Sequence, residues 1–445
     1  MRRLSCVLAG LALLAGGFAP AWAQVAENDG GLPRRGWLGA AVQFTAGPVA
    51  GGKVVSILDG SAAQKLGLHV GDIVTAIDGR RLDSARNAAE MVRLLPAERA
   101  ATFAVDRGGQ ALTLRGLVPE APRETYANAD VIYTSVTDAK GEKLRMIVTR
   151  PKGVTGRLPV ILVATWLSED SVEAPTAATR DGSKLVLRGL ADTRDYVLVR
   201  VDKPGVGDSE GVCAETDFAT ELSGCRAAFR RLGDFDFIDP ERIFIFGLSN
   251  GGGYAPLVAD GAPVRGFIVE GGWCKTWYEH MLEIERRRFT LMGWTPAEVS
   301  RAMSGVAELY TDYLIHGRAP ADIFAAKPAL REFWTDDTPD VQYGRPPAFY
   351  QQLQKLNLAA AWSQVRAPTL ALHGEFDWIM SRADMELIAE LVNRNSPGAA
   401  EFRALPGRGH DFPNFANMAE AFNWSAAPFD GSIIPQLKAW LAQHR

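Results

Sequence analysis

A serine, an aspartate and a histidine stand in the second half of this chain in settings that acyl-transfer chemistry can use. The serine lies in Gly247-Leu248-Ser249-Asn250-Gly251, directly after the apolar run Ile243-Phe244-Ile245-Phe246. Gly-x-Ser-x-Gly is common by chance and says little alone. Between a buried strand and a helix it becomes a sharp turn that lifts the serine hydroxyl clear of the sheet. Gly247, Gly251 and Gly252 leave room for that turn, and the helix N-terminus behind it favours developing negative charge. Asp377 ends His373-Gly374-Glu375-Phe376-Asp377, after a strand at 369–372, and His410 ends Pro406-Gly407-Arg408-Gly409-His410, after a strand at 401–405. An imidazole with a pKa of about 6.5 can take and return a hydroxyl proton, while a buried carboxylate fixes its tautomer and stabilises the imidazolium. Glu375 is the alternative acid. His373 is the alternative histidine, but it precedes the acid, and only His410 is both late and glycine-flanked after a strand.

The elements that would position these residues alternate between strand and helix from Ala129 onward. Val131–Val136 and Leu144–Thr149 read as a hairpin. Val160–Ala164, Tyr196–Val201, Arg242–Phe246 and Val264–Val269 are apolar runs suited to strands buried on both faces. Helices are expected over Leu185–Thr193, Ala219–Leu232, Gly252–Ala259, Arg382–Asn393 and Ile433–Gln443. This is an α/β pattern, a mostly parallel sheet with helices on both faces. The segment 273–362 interrupts it and is helical, rich in aromatics and arginine.

Together these residues resemble the α/β-hydrolase superfamily, and more narrowly the branch around dienelactone hydrolase and prolyl oligopeptidase. Asp202-Lys203-Pro204-Gly205-Val206-Gly207-Asp208-Ser209 looks like that branch's loop after a strand, and Gly374-x-x-Asp377 and Gly409-His410 match its acid and histidine positions. The resemblance covers about residues 130–445. It implies a triad of Ser249, Asp377 and His410, and an oxyanion hole with Asn250 as one backbone donor. The second donor would come from Trp166 or Leu167 in the loop after strand 160–164, where a His-Gly pair is absent. It also implies that 273–362 is a cap over the site. Trp273, Trp277, Tyr278, Phe289, Trp294, Tyr310, Tyr313 and Trp334 then line a pocket or, for the larger share, form the cap's own core. Glu279, Glu283 and Glu285 with Arg286–Arg288 bind a charged substrate group or make a solvated face, the latter being the commoner arrangement.

An earlier module spans about 32–119. Lys53–Leu58, Ile73–Ile77, Ala101–Arg107 and Gln110–Leu117 read as strands, Gly108-Gly109 as a hairpin turn, and Ser61–Leu66 and Ser84–Leu95 as helices. Gly36-Trp37-Leu38-Gly39, Ser61-Ala62-Ala63 and Gly71-Asp72-Ile73-Val74 resemble a bacterial PDZ domain. The resemblance implies that Trp37, Leu38 and Gly39 border a groove for a peptide C-terminus, which would add as a strand. A spacer with an empty groove is the other reading.

The chain opens with Met1-Arg2-Arg3, an apolar run to Phe18 and Ala21-Trp22-Ala23, the pattern of a signal peptide cleaved after residue 23. The run is shorter than the ~20 residues of a membrane span, so a periplasmic or secreted protein without a span is expected. Three cysteines follow, and Cys213 with Cys225 makes a plausible disulfide in an oxidising space. A net charge of -4 argues against a nucleic-acid partner. No metal or organic cofactor is implied. The expected activity is hydrolysis of carboxylic esters, with short-peptide amides as the close second. A PDZ-led peptide-binding protein with a degenerate hydrolase domain is the reading from another class.

Overall fold

The computed structural model describes residues 31–45, 48–84, 91, 95–175, 181–336, 338–425 and 427–445. The expected signal peptide and nearly all of the expected helix at Ser84–Leu95 lie outside the described residues.

Two β-sheets organise the rest. The first contains β1 (Ala40–Thr45), β2 (Gly51–Ile57), β3 (Ile73–Ile77), β4 (Arg80–Arg81), β5 (Arg99–Arg107) and β6 (Gln110–Val118). Its order is β1-β2-β3-β5-β6 with β4 on β3, and the pairings are antiparallel. Gly108 and Gly109 both have positive φ, 61° and 89°, which lets a two-residue turn match the twist of β5 and β6. Alternate residues such as Phe103 and Val105 point into a small core with Leu38, Val54 and Val74. The sheet order puts β1 at an edge, so among the described residues its outer backbone row is unpaired within the sheet. This is the geometry an added peptide strand requires.

The second sheet contains β7 (Ala129–Thr137), β8 (Lys143–Pro151), β9 (Leu158–Ala164), β10 (Val197–Val201), β11 (Ile238–Leu248), β12 (Gly266–Glu270), β13 (Thr369–Gly374) and β14 (Ala400–Leu405). The order is β14-β13-β12-β11-β9-β10-β8-β7. It is parallel from β14 through β10 and antiparallel only where β8 meets β10 and β7. The continuous apolar runs divide between two faces. In β9, Val160, Leu162 and Ala164 join a core with the helices 218–231, 250–258 and 382–395. Ile161 and Val163 join the opposite core with the helices 182–191 and 433–443.

Between β12 and β13 the chain builds the cap from helices Trp277–Leu291, Pro296–Tyr310, Pro320–Ala326, Pro347–Gln354 and Leu358–Ser363. Thr276 with Glu279 and Thr295 with Glu298 form capping boxes on the first two, which satisfies orphan N–H groups at both N-termini. Trp273, Phe289, Tyr310, Tyr313 and Trp334 are buried in the core that runs under the cap.

Cys213, Cys225 and Cys274 are all buried free thiols, so the expected Cys213–Cys225 disulfide is not formed. Cys225 sits on the buried face of helix 218–231 beside Tyr254, whereas Cys213 lies in a short turn near Arg345 and Lys203. Proximity in sequence did not bring the two sulfurs into bonding geometry.

Candidate active site

Strand β11 ends at Leu248 and a helix starts at Asn250, so Ser249 alone makes the turn, at φ 53° and ψ −122°. Such a backbone is strained for a non-glycine residue and persists only when its surroundings hold it. Here the Ser249 N–H donates to Glu270 O at 2.9 Å and its carbonyl accepts Gly252 N–H at 2.8 Å. A Cβ on Gly251 would run into the carbonyls of Ala164 and Thr165. Glycine there lets the helix N-terminus lie against the end of β9.

Past β13, Asp377 Oδ1 accepts the backbone N–H groups of Ile379 and Met380, both at 2.9 Å. That leaves Oδ2 for His410 Nδ1, also at 2.9 Å, while His410 Nε2 reaches Ser249 Oγ at 3.0 Å. All three side chains are buried. The structure therefore brings Ser249, His410 and Asp377 into one hydrogen-bonded chain. Glu375 instead accepts Gly407 N–H at 2.8 Å, bracing the turn that carries His410. His373 is buried with Nε2 against Met380 O.

Burial works against the charge of Asp377, but His410 more than offsets it, first by charge and then by its hydrogen bond, and holds the carboxyl below the usual range. Burial would lower His410; the charge of Asp377, then that of Asp411 and the Asp377 hydrogen bond, override it and raise the imidazole to about 10. Among the described residues one group has metal-capable atoms that converge, namely Glu270, Asp377 and His410. Both nitrogens of His410 are already engaged within the chain.

The expected oxyanion donors sit at the same place. Asn250 opens its helix, where first-turn N–H groups lack intrahelical partners, and its side-chain oxygen is taken by Trp273 Nε1 at 2.9 Å. The 165–168 loop is tethered by its carbonyls. Thr165 O accepts from Tyr254 Oη at 3.2 Å, Leu167 O from Arg345 Nε at 3.2 Å and Ser168 O from Lys203 Nζ at 2.6 Å. A trans peptide sends its N–H opposite its carbonyl, so these tethers fix the amides of Trp166, Ser168 and Glu169. The loop at 202–209 supplies more support. Asp202 accepts from Val172 N and Ser171 Oγ, both at 2.8 Å.

A cavity of about 690 Å³ opens over Ser249 and His410, and Trp166, Leu167 and Asn250 line it. Of the cap aromatics singled out above, Trp277 lines it; Trp294 is partly exposed and stacks on Phe289. Of the cap charges, Glu285 and Arg288 reach it as an ion pair at 2.6 Å. Glu279 serves its helix cap, and Glu283 pairs with Lys275. Sequence reasoning did not pick out Ser183, Trp378, Tyr343, Asp411 or Trp424, which also line the cavity. Trp37, Leu38 and Gly39 belong to the other sheet's module and take no part in it.

A family model described as an alpha/beta hydrolase family matches residues 177–423, more than half of the chain, and a PDZ domain model matches residues 53–107. Similar solved structures include acetyl xylan esterase 1 from Thermoanaerobacterium sp., at 14% identity over 72% of this chain and 86% of that one, TM-score 0.42. The esterase domain of a Rhodothermus marinus protein has 18% identity over 71% of this chain and 99% of that one, TM-score 0.42. Est1E from Butyrivibrio proteoclasticus bound to ferulic acid has 14% identity over 70% and 99%, TM-score 0.43. No curated protein matches the chain.

Proposed function

The chain belongs to the alpha/beta hydrolase family, and within it we propose a secreted serine hydrolase that cleaves carboxylic esters through an acyl-enzyme on Ser249. The observation that supports this most is the unbroken path from Asp377 through His410 to Ser249, with both hydrogen bonds at 2.9–3.0 Å and its Ser249–His410 end lining one cavity. In the proposed reaction Ser249 Oγ attacks the ester carbonyl carbon while His410 Nε2 takes the hydroxyl proton. The oxyanion is held by the Asn250 N–H and an amide of the 166–167 loop. Collapse expels the alcohol, which receives the proton from His410. Water then attacks the acyl-enzyme by the same route in reverse, releasing the acid. Asp377 keeps Nδ1–H of His410 oriented throughout.

The division of labour follows the two sheets. Residues 32–119 form a PDZ module, with Trp37, Leu38 and Gly39 at a peptide groove, and 130–445 carry the chemistry. Residues 1–23 act as the signal peptide.

The test is turnover of a mixed panel of p-nitrophenyl esters and short peptide amides by the mature protein and by Ser249→Ala. Ester turnover that falls by at least about 10⁴-fold in the variant is expected. Turnover of peptide amides alone would replace the esterase reading with a peptidase. A fluorophosphonate probe that labels both proteins equally, or neither, would falsify a nucleophilic Ser249.

A further inference from the structure

Glu270 is a buried acid that the proposed reaction leaves idle. It is the last residue of β12, the neighbour of the nucleophile strand β11, and is fully buried. Its backbone carbonyl braces the Ser249 turn, and its carboxyl faces the His–Asp pair. Ligand atoms of Glu270, Asp377 and His410 all lie within 4.8 Å of one another. The chain leaves Glu270 through Gly271 at φ 53°, where a Cβ would stand 3.0 Å from His410 Nδ1 and 3.1 Å from Asp377 Oδ2. Only a residue without a side chain lets β12 end so close beneath the pair.

The two acids differ in what supports a charge. Asp377 accepts two backbone N–H groups and His410 Nδ1. Among the described residues neither oxygen of Glu270 has a hydrogen-bond partner. Two carboxylates in one dry site do not both ionise cheaply, so Asp377 takes the charge and Glu270 keeps its proton. Burial is the main cause that raises Glu270 far above the usual carboxylate range; His410 pulls it down and Asp377 pushes it up, with Asp411 and Arg408 the next charges facing it.

Building on the serine-hydrolase reading, we infer that Glu270 is a reserve acid for His410. It is a positioning residue, neutral while Asp377 carries the charge, that ionises and orients the imidazole once the Asp377 carboxylate is removed. Its proton then passes to solvent, and the site again holds one negative charge beside Nδ1.

The rate at which a fluorophosphonate labels Ser249 reads this without knowledge of the substrate. Oγ bonds to phosphorus, fluoride leaves, and His410 takes the hydroxyl proton. Removing the acid of a Ser-His-Asp triad costs about 10⁴-fold where nothing replaces it. We expect Asp377→Ala to label within about 10²-fold of wild type, and Asp377→Ala/Glu270→Gln to reach the full loss of about 10⁴-fold. Equal rates for the single and double variants overturn the proposal. So does a Glu270→Gln single as slow as the double, since that marks a purely structural role. Absence of labelling in wild type instead overturns the serine-hydrolase reading, so the two failures are separate. Infrared spectroscopy gives a check that does not depend on Asp377→Ala folding. A protonated-carboxyl C=O stretch present in wild type at neutral pH and lost in Glu270→Gln supports the proposal, and its absence from wild type overturns it.

Discussion

The proton that Ser249 gives up in the proposed reaction goes to an imidazole surrounded by negative charge. Asp377 bonds Nδ1 and Asp411 Oδ1 stands 3.9 Å from Nε2, while Glu270, held neutral by its burial, lies beneath. With His410 raised to about 10, the ring is protonated at neutral pH and becomes a base as pH climbs. In the proposed reaction kcat/KM therefore rises with pH from neutrality, and its acid limb lies alkaline of the ordinary histidine value of about 6.5. Asp411→Asn removes one of the charges that hold the proton, so the limb moves toward lower pH. A kcat/KM profile of both proteins checks this, and coincident limbs would remove Asp411 from the account. The three residues of the hydrogen-bonded chain, Ser249, His410 and Asp377, were legible in the sequence because each follows a recognisable strand. Glu270 and Asp411 were not. Glu270 reads as one more residue at the end of an apolar run, and its meaning lies in a distance of a few ångströms to residues more than 100 positions away. The Gly271-Gly272 pair after Glu270 was the available signal, since glycines crowded at a strand tip imply close backbone packing.

Strands and helices set where those residues can stand, and the sequence showed the elements better than their ends. Strand β11 begins at Ile238, earlier than the expected Arg242, because a register shift between Ile238 and Ile243 absorbs the polar Asp239-Pro240-Glu241. The cap's helices were visible in the sequence, but not which side chains face the cavity. A helical segment rich in aromatics reads the same whether a ring packs inward or lines a pocket. Nor does the sequence show that the cap reaches down to the loop after β9. Arg345, fully buried, pairs with Glu221 at 2.5 Å and donates to Leu167 O. It thus joins the cap, helix 218–231 and the loop after β9. Removing one partner of a buried ion pair strands the other, at about 3–5 kcal/mol. Arg345→Ala is therefore expected to lower unfolding stability by about that amount and to slow turnover by releasing the loop. Urea denaturation beside a kcat measurement tests both. Unchanged stability would mean that Glu221 finds another partner and that the arginine is dispensable.

The whole molecule poses the question of why a PDZ module and a hydrolase share one chain, and the contacts between them give a physical answer. The segments entering and leaving the first sheet run side by side: Trp37 N–H donates to Pro119 O at 2.8 Å and Ala121 N–H to Arg35 O at 2.9 Å. From this double strand Arg34 reaches into the second domain. Its guanidinium binds Glu173 at 3.0 Å and Asp208 at 2.5 Å. Burial disfavours its charge, but the two carboxylates more than offset this and hold its pKa above the usual range. Arg35 N–H adds a bond to Asp208 at 2.9 Å, and Arg145 donates to Leu32 O at 2.9 Å. The anchor points are not neutral ground. Glu173 follows the loop that carries Trp166 and Leu167, and Asp208 lies in the loop whose Asp202 secures Ser171 and Val172. The anchors thus tie the first module to the loops beside Ser249. Arg34→Ala leaves Asp208 with Arg145, at 3.3 Å, and Glu173 with the Tyr133 hydroxyl. The loss should fall at the lower end of the range for a broken buried pair, about 3 kcal/mol. The two domains should then part thermally. Calorimetry of the wild type is expected to show one transition, and Arg34→Ala two, with ester turnover falling although no residue of the cavity has changed. One unshifted transition in the variant would mean that the interface is held elsewhere and that the PDZ module is carried rather than coupled.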